Sequence, residues 1–302
     1  STLFPSRRGL KERGPIFKIE MMNNSNEFYI GWMPAAPDGL AKHVKKVVLL
    51  LVILVIILGA GLSLMQKKFS TSKFEFGELT EVKGVYENTP VPCIKVMTKT
   101  DAFGNSTYIT MPLVGYGKFG AEGVIEELEK ENHTTLDKKE VTLRGTLIYN
   151  DGKTLLQIDK NDNPLVKVSS AAANYTPVIK ELGTVTVTGE ILDPKCYFGV
   201  MKPGHGKPHR DCAIRCIAGG ISPVFCVHND KGDANYYLLL DEKGKKMNDA
   251  VKDNVAEPVS LTARAVRYDD WIVLYTDLAS IKRTGGLSWF KTDITCGRPK
   301  NK

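Results

Sequence analysis

Four of the six cysteines and three of the five histidines of this 302-residue chain lie between Asp193 and His228: Cys196, Cys212, Cys216, Cys226, His205, His209 and His228. Thiolates and imidazoles are the donors that zinc takes, and outside the cytoplasm thiols pair. His209, Cys212 and Cys216 fall at i, i+3 and i+7 of a short helix opened by Pro208, so one helix face presents all three. Together with Cys196 they offer four N/S ligands to zinc. The competing chemistry is disulfide formation, for which the cysteine number is even. Cys212 and Cys216, four apart on one helix, are poorly oriented to bridge each other, so each is expected to reach Cys196 or Cys226 on flanking strands. Cys93 and Cys296 would then pair and tie the C-terminal tail to the first domain. Structural disulfides are the expectation here, with metal ligation and redox-active free thiols as the alternatives. No metal and no cofactor is assigned.

Other chemistries fail on spacing. There is no C-x-x-C-H for covalent haem and no ferredoxin run. Cys226-Val227-His228 supplies a C-x-H without the C-x-x-H partner that a Rieske centre needs. No G-x-S-x-G, H-E-x-x-H, phosphate loop or thioredoxin-type C-x-x-C occurs, so no catalytic residue is assigned and an enzyme is not expected. Asp193, Asp211, Asp269 and Asp270 sit in turns or near caps, where carboxylates are ordinarily structural. His205 and His209, in a Gly/Pro-rich loop, are expected to be solvated.

The elements that must position these residues begin with a membrane anchor. Val47 to Met65 is nineteen residues without a charge, and at about 1.5 Å per residue it matches the roughly 30 Å hydrocarbon core of a bilayer. Arg7, Arg8, Lys11, Arg13, Lys18, Lys42, Lys45 and Lys46 precede it, whereas Lys67, Lys68 and Lys73 follow. The positive-inside rule then keeps the N-terminus in the cytoplasm and puts the larger C-terminal part on the other side, the periplasm of a bacterial inner membrane. The length of the apolar run, with Lys67 and Lys68 behind it, favours a retained anchor over a cleaved signal. Residues 1–38 read as a cytoplasmic arm whose Phe28, Tyr29 and Trp32 suit the headgroup region, and Asp38 reads as the N-cap of a helix spanning 39–68. Gly59 and Ser63 lie four apart in the span, a spacing that admits a second helix. The formal charge of +7 is concentrated around the span, and Glu122, Glu126, Glu127, Glu129 and Glu131 crowd one predicted helix. Nucleic acid is therefore not an expected partner.

Beyond the stem, one order of elements occurs twice. A Gly-led alternating strand (from Gly77, and again from Gly183) is followed by a short amphipathic helix (Gly120 to Glu131; Lys246 to Asn254). A hairpin closes each half (Val141 to Ile158 about Asp151-Gly152; Val259 to Tyr275 about Asp269-Asp270). Strands, one helix before the last hairpin, and closure within about 100 residues is the order of a five-stranded OB barrel, and chance would have to produce it twice. The expected fold is mainly β, one N-terminal transmembrane helix followed by two tandem OB-like barrels. The boundaries read 74–165 for the first, 166–182 for a linker, 183–284 for a second, Cys-rich barrel and 285–302 for a tail.

Gly189-Glu190, Asp193, Cys196-Tyr197, His209, Cys212-Ala213, Cys216, Gly219-Gly220 and Pro223 together resemble a Cys-containing OB-like domain of uncharacterised bacterial envelope proteins. The overall plan, an anchor helix leading to an OB barrel, is similar to the cytochrome c maturation haem chaperone. The H-x-x-x-Y through which that family attaches haem is absent, since Ala213 lies four after His209. These readings imply a non-catalytic, single-span accessory subunit of a bacterial membrane complex, most specifically a respiratory or photosynthetic electron-transfer assembly. The helix and arm would meet integral membrane subunits and the lipid bilayer, and the barrels would meet periplasmic subunits. The alternatives are a haem or metal carrier and a thiol-redox protein.

Overall fold

The computed structural model describes residues 36–68, 72–100, 102, 106–199, 201–228 and 234–284. Helix α1 (Asp38–Lys68) carries the apolar run without interruption. Its large apolar side chains are exposed along its length, from Val47 to Met65, and Asp38–Met65 is long and apolar enough to cross a membrane. The helix opens one residue earlier than expected. The Ala41 N–H donates to the Pro37 carbonyl at 2.8 Å, so Pro37 occupies the cap position. Asp38 stands in the first turn, where a carboxylate suits the positive end of the helix dipole. A methyl group added at Gly59 would meet nothing within 4 Å, and Ser63 is exposed. Phe28, Tyr29, Trp32, Cys296 and the tail from 285 lie outside the described residues.

Residues 69–302 form a separate compact unit. A short strand β1 (Lys73–Phe74) leads into β2 (Thr80–Glu87), β3 (Cys93–Thr100) and β4 (Ser106–Gly115), which pair antiparallel as a meander. Helix α2 (Glu122–Glu131) follows, then the hairpin β5 (Lys139–Asn150) and β6 (Lys153–Ile158). Strand β5 returns to β2, and β6 runs parallel to β4 from Leu113↔Leu156 to Gly115↔Ile158, so the five strands close. That is the OB order. Ile125 and Leu128 of α2 pack with Val82, Tyr86, Ile94, Leu113 and Leu143 in the interior. The apolar face read from the sequence thus plugs the barrel, while Glu126, Glu127 and Glu131 face water, Glu122 pairs with Lys246 and Glu129 accepts from the Leu136 N–H.

Strand β7 (Leu165–Ala172) pairs with β5. Much of the segment read as a linker is therefore sheet on the first barrel. The second barrel starts at β8 (Ile179–Leu192) and continues through β9 (Val224–His228), β10 (Ala234–Asp241), β11 (Pro258–Tyr268) and β12 (Trp271–Thr276). Strand β8 pairs with β9 and β11, β9 with β10, β10 in parallel with β12, and β12 with β11, which repeats the closure. Strand β13 (Lys282–Arg283) edges β11. The helix expected around Lys246 to Asn254 is replaced by turns and a 3-10 turn at Lys252–Asn254. Asn248, Asp249, Asp253 and Asn254 favour turns over helix there, although Met247, Val251 and Val255 still enter the core. The interior is filled instead by an insertion between β8 and β9, helices α3 (Pro194–Phe198) and α4 (Arg210–Ala218). Ala213 and Ile217 of α4 pack with Phe225, Leu239 and Leu261.

The two barrels share a core. Val114, Ile148 and Leu155 of the first pack in one cluster with Phe198, Val224, Trp271 and Val273 of the second. The closing hairpins reach across it. Asp151, at positive φ with Gly152 in a two-residue turn, accepts a hydrogen bond from the Tyr236 hydroxyl at 2.7 Å. In the other direction, Asp269 accepts from the Lys95 ammonium at 2.8 Å and the Tyr175 hydroxyl at 2.5 Å. Asp270 accepts from the Thr110 N–H at 2.9 Å, and the Trp271 indole N–H donates to the Thr110 carbonyl at 3.1 Å. Lys95 and Asp269 are both buried, with side chains 1% and 6% exposed. The turn carboxylates are structural, as expected, and they join two barrels rather than capping one.

Candidate functional site

The insertion that plugs the second barrel also carries the thiols. Asp193 has the extended backbone of an N-cap, its Oδ1 accepts the Lys195 N–H at 2.9 Å, and Pro194 takes the first helical position. These are the signals that open a helix, so Cys196 sits on α3 rather than on a strand. Pro208 belongs to a 3-10 turn, Lys207–His209, that leads into α4. Adjacent rows of α4 then do different work. Residues 213 and 217 face the barrel core, while Cys212 and Cys216, also four apart, turn toward α3.

The sulfur of Cys196 lies 3.9 Å from that of Cys212 and 4.0 Å from that of Cys216. The three sulfurs lie within 4.8 Å of one another, and Asp193, Cys196 and His209 form a second, overlapping group at the same limit. The disulfide expectation is not met among the described residues: Cys93, Cys196, Cys212, Cys216 and Cys226 are all free thiols. Both α4 cysteines converge on the Cys196 sulfur, and each stands at about twice the roughly 2.05 Å of a disulfide bond. Cys226, expected as the second partner, instead lies 3.9 Å from Nδ1 of His228 on its own strand. Cys93 is fully buried in the first barrel, and burial pushes its thiol up to about 12.

The histidines divide. His205 is exposed, as expected. His209 is not solvated: it is 2% exposed, and neither ring nitrogen has a hydrogen-bond partner among the described residues. The 3-10 turn Lys207–His209 leads directly into α4 with the His209 ring buried, which a Gly/Pro-rich loop sequence does not reveal. Asp193 is fully buried, and its Oδ2 is likewise without a partner among the described residues. Buried polar atoms are ordinarily satisfied, so three orphaned atoms on two adjoining side chains call for an explanation.

Two lysines complete the electrostatics. Lys118, on the loop after β4, places its ammonium 3.0 Å from the Cys212 sulfur and 4.0 Å from that of Cys216. The hydrogen bond to Cys212 raises the Lys118 pKa, and burial works against it. Lys195 is buried and donates to the carbonyls of Gly115 and Gly117 at 2.6 and 2.7 Å. Burial lowers its pKa, while the Asp193 carboxylate opposes that shift. The Cys196 thiol is pushed up, first by its hydrogen bond with Cys216, then by burial and by Asp193. Burial lowers the His209 imidazole, which favours the neutral ring.

Thus Cys196 meets both Cys212 and Cys216 on one side and His209 on the other, whereas Cys226, Cys93 and His205 lie apart from them. Asp193 and Lys118 were missed. The Asp-Pro dipeptide marked a helix start but not a second, unsatisfied oxygen, and Lys118 arrives from the other barrel, 94 residues away from Cys212. No family model matches the chain, and no curated protein matches it.

Proposed function

We propose that this protein is a non-catalytic, single-span accessory subunit of a bacterial membrane complex, with its N-terminus in the cytoplasm and its double barrel bracing the periplasmic side. The observation that carries the reading is the pairing of an anchor with a rigid body. Helix α1 leaves its apolar surface uncovered, and the barrels are joined by a shared core and by the buried Lys95–Asp269 ion pair. A rigid body on a single helix transmits position rather than chemistry. The charge asymmetry about the span supports the orientation, and Gly59 and Ser63 offer a face on which a second helix can approach. An electron-transfer assembly is the partner class proposed, because such complexes carry cofactor-free single-span subunits.

The test is solubilisation of native membranes in mild detergent and pull-down on this chain, with visible spectra of the eluate. Co-elution of haem-bearing integral subunits, reduced when Gly59 and Ser63 are both changed to Leu, is the expected outcome. Recovery of this chain alone would overturn the reading. Protease accessibility of the barrels in spheroplasts checks the orientation.

A further inference from the structure

We infer that Cys196, Cys212, Cys216 and His209 form a tetrahedral zinc site, with Asp193 orienting the imidazole and Lys118 neutralising the centre. The sulfur spacing is the first argument. With Zn–S bonds of about 2.3 Å, the edge of a tetrahedron is roughly 3.8 Å, against 3.9 and 4.0 Å between the Cys196 sulfur and its two neighbours. A disulfide would need about 2.05 Å between one pair and would leave the third thiol beside it unused.

The second argument is independent of the sulfurs. His209 is buried with both ring nitrogens unpartnered among the described residues, and Asp193 Oδ2 is unpartnered beside it. The ligating atoms of Asp193, Cys196 and His209 lie within 4.8 Å of one another. A metal-bound histidine characteristically gives its other N–H to a carboxylate. His209 lies beside Cys196, and with the metal bound its ring would move toward Cys212 and Cys216, which would satisfy both nitrogens and the carboxylate oxygen together.

Charge is the third. Three thiols release three protons on binding Zn²⁺, and with a neutral imidazole the centre carries one negative charge. The Lys118 ammonium already lies 3.0 Å from one of the sulfurs. Two sulfurs spaced four apart on α4, one on α3 and a histidine at the mouth of α4 fill all four positions, so the site is a closed, structural one. It fastens α3 to α4, and Lys118 links that pair to the loop after β4. Zinc is selected over Ca²⁺ or Mg²⁺ by sulfur ligands, and over Cu(I) by the nitrogen donor and four-coordinate geometry. The inference does not depend on the accessory-subunit reading, nor on the side of the membrane, because ligation ties up the thiolates of the half-buried Cys196 and Cys212 as it does that of the buried Cys216.

The experiment uses the full chain, purified in detergent without metal supplement, with elemental analysis and Co²⁺ substitution. One zinc per chain is expected, together with thiolate-to-cobalt charge transfer and the intense visible bands of a tetrahedral site. Cys212→Ser should drop zinc to less than half occupancy. His209→Cys should keep the metal and shift the cobalt spectrum, whereas His209→Phe should lose it; this pair separates ligation from a merely structural role. Peptide mapping under non-reducing conditions that finds Cys196 in a disulfide with Cys212 or Cys216 would overturn the inference. So would copper or iron in place of zinc, or a metal-free chain whose cobalt spectrum is that of the aquo ion.

Discussion

Lys95 and Asp269 are the residues on which the joining of the barrels most depends, because neither can be exposed without parting them. Each is buried, and the cost of taking the pair out of water is offset by the hydrogen bonds between them and to Thr110 Oγ1 and the Tyr175 hydroxyl. Removing one partner of such a pair leaves an uncompensated buried charge, typically about 3–5 kcal/mol. Lys95→Met should therefore lower unfolding stability by that order, and Lys95→Met with Asp269→Asn should recover most of it; thermal unfolding of the detergent-solubilised chain measures both. For Asp269, burial alone would raise the pKa, but the bonds from Lys95, Tyr175 and the Val178 N–H lower it below the ordinary value. Its contribution is thus present above that ordinary value and is lost as pH falls through the folded one. Glu190 has the opposite sign. Burial, only partly offset by the Gly206 N–H, raises its carboxyl from 4.5 to about 7. The folded state then holds the extra proton between those values, and stability should fall as pH rises through that window, by about 1–3 kcal/mol. Glu190→Gln should flatten this slope in thermal melts recorded from pH 5 to 8.

Among the elements, α4 is the one that serves two clients. Its 213 and 217 row fills the second barrel, its 212 and 216 row carries thiols, and its C-terminal end docks on the first barrel, where the Gly120 N–H donates to the Gly219 carbonyl at 2.9 Å. A methyl group at Gly219 would fall 1.9 Å from the Lys118 carbonyl, so only glycine permits this approach. Gly219→Ala should force the loop after β4 away and cost about 1–3 kcal/mol, as overpacking commonly does. Hydrogen exchange should localise the loss to residues 116–121 and to α4. Exchange that rises uniformly over both barrels would instead mean that the seam does not act locally. The amphipathic pattern of α2 was legible because one face is apolar and the other acidic. The pattern around Lys246–Asn254 looked similar, but its Asn and Asp residues stabilise turns, and α4 already supplies a plug for that barrel.

For the whole molecule, the tandem barrels act as one unit. Core residues of both occupy one cluster, and each closing hairpin donates its turn to the other barrel. Cooperative unfolding follows from such sharing. A single calorimetric transition for the double barrel is the expected result, and Lys95→Met should shift it without splitting it. Two separable transitions would show that the seam adds little to either barrel.

Readable along the chain were a helix long and apolar enough to cross a membrane, the repeated order of strands and closing hairpin, and therefore the OB-like architecture. Each of these rests on local periodicity: an apolar run of bilayer length, alternation along strands, and a turn such as Asp151-Gly152 that suits positive φ. It also narrowed the candidate ligands to the residues between Asp193 and His228. Which of those residues meet was settled by packing, not by spacing along the chain. Whether Cys212 and Cys216 find Cys196 or Cys226, and whether His209 faces water or the core, depends on how α3 and α4 fold into the barrel end. Lys95 to Asp269 and Lys118 to Cys212 are contacts between residues far apart in the chain. Neighbouring residues carry no trace of such pairs, because what selects them is the burial of charge and sulfur after the two barrels have closed upon each other.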